Sequence, residues 1–221
     1  MQAKELASAN IPVVTLTDSV VQVLEHMTRL KVSHLPVVSQ SDYLGLVLEK
    51  DLTAVADPHA CLDSKDVHLL SLSVLETQHF FEIIDLVSSY ELTLVPVLTK
   101  ERQYAGCITM QSIVKHLSDL VAAGQPGAIL ELDLSLQDYS PTLISRIVED
   151  NNAKIINLLA SSNPDGRTLM VTIKVNTEET SSIIRSFDRY GLSVRSSYLA
   201  NSKLDDFYRS RFEEFMKYMN M

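Results

Sequence analysis

Along the first 120 or so residues, the apolar and polar positions repeat after a displacement of 60. That shift sets Val14 on Val74, Thr17 on Thr77, Val20 on Phe80, Val23 on Ile83, Met27 on Val87 and Pro36 on Pro96. With one residue inserted in the later loop, Tyr43 falls on Tyr104 and Gly45 on Gly106. A repeat of this kind marks one supersecondary unit used twice. In the first copy, Val13, Val14 and Leu16 predict a short strand. Asp18 or Ser19 can cap a helix whose apolar positions Val20, Val23, Leu24, Met27 and Leu30 keep helical spacing. Leu35 to Val38 reads as a strand with Pro36 near its start, Ser39 to Asp42 as a turn and Tyr43 to Leu48 as a second strand. A helix is expected from Lys50. The second copy reads as strand Val67 to Val74, helix His79 to Tyr90, strands Leu94 to Leu98 and Tyr104 to Thr109, and helix Ser112 to Ala122. Each copy is thus a β-α-β-β-α unit.

Val121 to Gly127 is small and rich in helix breakers, so it predicts a linker. After it, Ala128 to Leu136 alternates as a strand, and Pro141 opens a helix with Leu143, Ile144, Ile147 and Val148 on one face. Ile155 to Ala160 and Leu169 to Val175 predict a hairpin through a turn at Asn163 to Gly166. Helix Glu178 to Tyr190 and strand Ser193 to Leu199 complete a βαββαβ, ferredoxin-like order. Asp205 to Met219 predicts a last helix, with Tyr208, Phe212, Phe215 and Met219 on an apolar stripe. The expected class is α+β, divided as 1–61 and 62–123 for the repeats, 128–200 for the ferredoxin-like domain and 201–221 for the final helix.

The segments Val32-Ser33-His34-Leu35-Pro36-Val37-Val38 with Gly45 to Leu52, and Leu92-Thr93-Leu94-Val95-Pro96-Val97-Leu98 with Gly106 to Ile113, resemble the CBS domain family. The resemblance implies that the copies pair through their sheets, with two clefts between them that often hold adenosine-containing ligands. The family's Gly-x-x-Ser/Thr-x-x-Asp motif supplies a carboxylate for ribose hydroxyls and a hydroxyl for phosphate at a helix start. Here the first copy has Leu48 and Asp51 at those positions, and the second has Thr109 and Ser112. By the family's geometry, one cleft gathers Thr109 and Ser112 with Ser33 and His34, while the other gathers Asp51 and Leu48 with Thr93 and Leu94. The ligands so implied are AMP, ADP, ATP, adenosine or S-adenosylmethionine. Each residue also has a plain reading. Asp51 suits a helix N-terminus, Thr109 suits a strand, and His34 suits a surface or interface. The βαββαβ segment, with Asp138 before its first helix, resembles the ACT family of amino-acid sensors, although its loop is Asp138-Tyr139-Ser140-Pro141 without the family's usual glycine. The domain order resembles that of acetoin-utilisation accessory proteins.

Composition narrows the function classes. A net charge of −9 over 221 residues leaves no basic stripe for a phosphate backbone, so nucleic acid is not an expected partner. No segment approaches the roughly 18 consecutive apolar residues of a membrane span, and no signal-like run opens the chain, so a cytoplasmic protein is expected. Cys61 and Cys107 stand far apart and the six histidines are scattered, which predicts no metal site. No nucleophile elbow, P-loop or glycine-rich dinucleotide fingerprint occurs, so no catalytic residues and no enzyme are expected. The expectation is a regulatory small-molecule sensor, a homodimer by its resemblance, with a regulated protein partner as a further prospect. The alternative is a ligand-free scaffold for oligomerisation or partner binding that has lost its nucleotide site.

Overall fold

In the computed structural model of the chain, residues 1–63, 67–164 and 166–199 are described, and they form two compact units, Met1–Leu117 and one beginning at Ser118. The helix expected at Asp205 to Met219 lies outside the described residues. In the first unit, a short helix α1 (Ala3–Leu6) precedes α2 (Val20–Leu30), whose buried positions Val20, Val23 and Met27 follow the predicted spacing. Gln22 reaches back to accept the Ser19 amide at 3.1 Å, and Lys31 ends the helix in the left-handed region at φ 55°. Strands β1 (His34–Ser39) and β2 (Asp42–Leu48) pair antiparallel, and α3 (Glu49–Thr53) follows directly.

The second copy repeats this path. Strand β3 (Val74–Leu75) leads to α4 (Phe80–Tyr90), which is ended by Glu91 at φ 52°. Strands β4 (Leu94–Leu98) and β5 (Tyr104–Thr109) then pair antiparallel before α5 (Met110–Leu120). The irregularity at Val37/Val38 recurs at Val97/Leu98. Both copies share one apolar core that includes Val14, Leu35, Leu46, Val74, Leu94 and Ile108.

The first strand of each copy is shorter than its apolar run predicts. Val14 makes a single parallel bridge to Val37, and β3 holds two residues beside Val97 and Leu98. The reason is that the chain crosses between sheets here. Ser8, six positions before Val14, exchanges both backbone hydrogen bonds with Cys107 of the second copy, at 2.8 and 3.0 Å. Leu70, ahead of Val74, exchanges both with Leu46 of the first, each at 2.8 Å. A segment that serves two sheets cannot run on in either. α1 follows the same exchange, since Ala3 and Lys4 donate to the carbonyls of Gln78 and Glu76.

The second unit contains β6 (Ala128–Ser135), α6 (Pro141–Asp150), β7 (Ile155–Ser162), β8 (Thr168–Val175), α7 (Ser181–Arg189) and β9 (Val194–Leu199). The antiparallel sheet runs β7-β8-β6-β9, the ferredoxin-like order. Leu130, Leu132, Ile144, Val171, Ile173 and Phe187 are fully buried in its core. Ser140 caps α6 by accepting the Leu143 amide at 3.3 Å, with Pro141 in the first turn. Helix α7 begins three residues after Glu178, because Thr177 and Glu179 accept the amides of Glu179 and Ser181 and hold that stretch as a turn.

Candidate functional site: a seam between the two repeats

The strand starts of the two copies meet. The Ser33 amide donates to the Thr93 hydroxyl oxygen at 3.0 Å, and the same hydroxyl lies 3.0 Å from Nδ1 of His34. The Thr93 amide points at that nitrogen from 3.3 Å. Ser33 and Thr93 are repeat-related positions, so the seam lies where the two copies face each other. With the Thr93 oxygen already accepting from Ser33, its proton is free to point at Nδ1. This network assigns the His34 proton to Nε2. His34 is only 7% exposed. Burial holds its imidazole below the ordinary range, Lys50 adds to that effect and Glu49 opposes it.

The last helix of each copy starts against this seam. The Glu49 amide, first in α3, donates to the Ser33 carbonyl at 3.0 Å, and the Met110 amide, first in α5, donates to the Thr93 carbonyl at 3.1 Å. The register sets His34 opposite Leu48 and Leu94 opposite Thr109. Two helix N-termini, each with its positive dipole end, therefore flank one strip of polar groups. At the α5 end, the Thr109 hydroxyl accepts the Ser112 amide at 3.2 Å and so serves as the helix cap. At the α3 end, Asp51 occupies the first turn, half-buried, and its carboxylate has no hydrogen-bond or ion-pair partner among the described residues.

The family's geometry divides the six candidates between two clefts. The structure joins Ser33 and His34 to Thr93, with Thr109 and Ser112 bonded to each other and Asp51 apart in the turn that follows Leu48. The direct bonding across the seam escapes a reading of the sequence one copy at a time. The signal is the repeat itself, because the displacement of 60 sets Ser33 on Thr93.

Further along the same contact, Asp42 bridges to Gln103 and the Tyr104 amide donates to the Ser41 carbonyl at 2.9 Å. Tyr43 donates its hydroxyl to the Leu72 carbonyl at 2.7 Å, and Tyr104 donates to Sγ of Cys107 at 3.4 Å. Burial, joined by the neighbouring Cys107, pushes both phenols upward. Burial also pushes the Cys107 thiol up to about 12, against the opposing Tyr104 hydrogen bond. This polar group is closed and unreactive at neutral pH.

Among the described residues, no group of His, Cys, Asp and Glu is placed to hold a metal, and no helix is long and apolar enough to cross a membrane. In the second unit, Asp138 precedes α6 as expected. Its carboxylate accepts the Ser135 hydroxyl at 2.6 Å, and its amide donates to the same oxygen at 3.2 Å.

Residues 3–57 match the model of the CBS domain. This segment spans the first repeat through α3. Ser33, His34 and Asp51 lie inside it, and the path from β3 to α5, which carries Thr93, Thr109 and Ser112, repeats its elements in order. Solved structures similar to the chain include a CBS domain pair/ACT domain protein from Thermotoga maritima, at 19% identity over 55% of this chain and 99% of that one, with a TM-score of 0.49. An acetoin utilization protein (AcuB) from Vibrio cholerae is 18% identical over 56% of this chain and 95% of that one, with a TM-score of 0.48. A structure of CBSX2 in complex with AMP is 19% identical over 54% and 97%, with a TM-score of 0.47.

Proposed function

We propose that the paired repeats are a regulatory sensor that binds an adenine nucleotide or nucleoside beside the seam. The observation that carries this reading is the Asp51 carboxylate, without a partner among the described residues, in the first turn of a helix whose opening amide is bonded to Ser33. A carboxylate so placed can accept both hydroxyl protons of a ribose. On the other flank, the positive end of the α5 dipole favours an anionic group, with the Thr109 and Ser112 hydroxyls at hand. Ser33, His34 and Thr93 lie between the two flanks. Ligand binding then acts by favouring one arrangement of the two copies, by no more than its difference in affinity for the two arrangements.

A second reading, a scaffold without ligand, is favoured by the bonding within the seam. Ser33, His34 and Thr93 satisfy one another, and the Thr109 hydroxyl is spent on its own helix. Thermal melting with AMP, ADP, ATP, adenosine, S-adenosylmethionine and a set of amino acids separates the readings. Ligand at 100 times its dissociation constant stabilises by about 2.7 kcal/mol. The sensor reading expects an upward shift with one adenine compound that is lost in Asp51→Asn. No shift with any of them supports the scaffold. A shift with an amino acid alone would move the binding role to the second unit, whose α6 loop is closed by Ser135 and Asp138 in the structure.

A further inference from the structure

We infer that His34 is a proton-sensitive latch between the two repeats, holding their strand edges together through Thr93 while neutral and loosening them when protonated. The inference stands on the seam alone and does not require a ligand. Nδ1 of His34 is the meeting point of two donors from the other copy, the Thr93 hydroxyl at 3.0 Å and the Thr93 amide at 3.3 Å. A bare ring nitrogen has one in-plane lone pair, which the two donors share. A protonated one has none to share, and its own N–H would face the Thr93 amide donor to donor. The hydroxyl can rotate so that its oxygen, which keeps a second lone pair beside the one that accepts the Ser33 amide, accepts from the ring, but the backbone amide of Thr93 still loses its acceptor. Proton uptake therefore removes a hydrogen bond between the copies and brings a charge into a site that is 7% exposed.

The surroundings do not offset that charge. From α3, Lys50 opposes protonation and Glu49 favours it, with burial and Lys50 outweighing Glu49. From the second copy, the residue bonded to the ring is Thr93, which carries no charge, and Lys50 and Glu49 are the charged groups that act on the ring. His34 is itself the first residue of β1, so loosening at this point acts on both the strand edge and the start of α3, through the Ser33 carbonyl that receives the Glu49 amide.

The test is an NMR titration of the full chain from pH 8 to 5, following the histidine ring protons and the backbone amides. The His34 ring signal, identified by its loss in His34→Gln, is expected to titrate below the ordinary histidine value of about 6.5. The Thr93 and Ser33 amides are expected to shift with the same midpoint, and neither should titrate in His34→Gln. Hydrogen-exchange protection of Ser33 and Thr93 should fall by about tenfold for each unit by which the His34 midpoint is depressed. A His34 midpoint at or above the ordinary value overturns the latch, and so do Thr93 and Ser33 amides that do not follow the ring. If His34→Gln does not fold, the amide shifts in the wild-type chain decide the matter by themselves.

Discussion

Single residues in this chain show how far burial alone sets chemistry. Cys61 and Cys107 are both free thiols, yet Cys61 is exposed and Cys107 is fully buried with its pKa pushed up to about 12. The thiolate is the reactive form, so a thiol reagent at pH 8 should modify one cysteine in the native chain and two in denaturant. Two fast-reacting thiols in the native state would show that the Tyr104–Cys107 pair is open to solvent. His34 carries the same lesson for pH. Because its folded pKa lies below the unfolded value, the stability it confers is fully present above about 6.5 and is lost as pH falls from there through the folded pKa.

At the scale of elements, the exchanged segments depend on two glycines. Ser8 lies so close to β5 that a Cβ on Gly106 would stand 2.9 Å from the Ser8 carbonyl oxygen, and a Cβ on Gly45 would stand 2.8 Å from Cβ of Leu69. Both residues also hold positive φ, 139° and 153°, which side chains rarely adopt. Gly106→Ala should therefore cost about 1–3 kcal/mol, the usual range for a group forced into a packed interior. Urea unfolding measures it, and a midpoint unchanged from wild type would mean that the N-terminal segment can move off β5 without loss. Neither crossing segment becomes a long strand, since each pairs with one sheet for a residue or two and then with the other.

At the scale of the first unit as a whole, the two repeats are one folding body. Their buried side chains form a single cluster, and each copy borrows an edge segment that precedes the other. A fragment ending at residue 63 would lack Leu70 beside Leu46 and would expose the face of Leu35 and Leu46 that the second copy covers. We expect residues 1–63 expressed alone to show no cooperative thermal transition, whereas residues 1–123 should retain one. A folded 1–63 fragment would show that the repeat is self-sufficient and that the exchange is only decorative. The second unit has its own core in a separate ferredoxin-like sheet.

Much of this was legible in the order of residues. Helical spacing in Val20 to Leu30 and in Pro141 to Asp150, the Pro36 and Pro96 strands, and the displacement of 60 all depend on periodicities that any packed chain must obey, and the structure shows the elements there. The segment that matches the CBS domain model, residues 3–57, carries that same local pattern. The sequence also placed polar groups at the strand starts and at the ends of the hairpins. What it could not determine is which groups are spent on one another. The pairing of Ser8 with Cys107, of Leu70 with Leu46, and of Thr93 with His34 joins positions about sixty or more residues apart, or across the copies. Only closing the common core brings them within hydrogen-bond reach. The same closure buries His34, because satisfaction of a polar group depends on its neighbours in space and not on its neighbours in the chain.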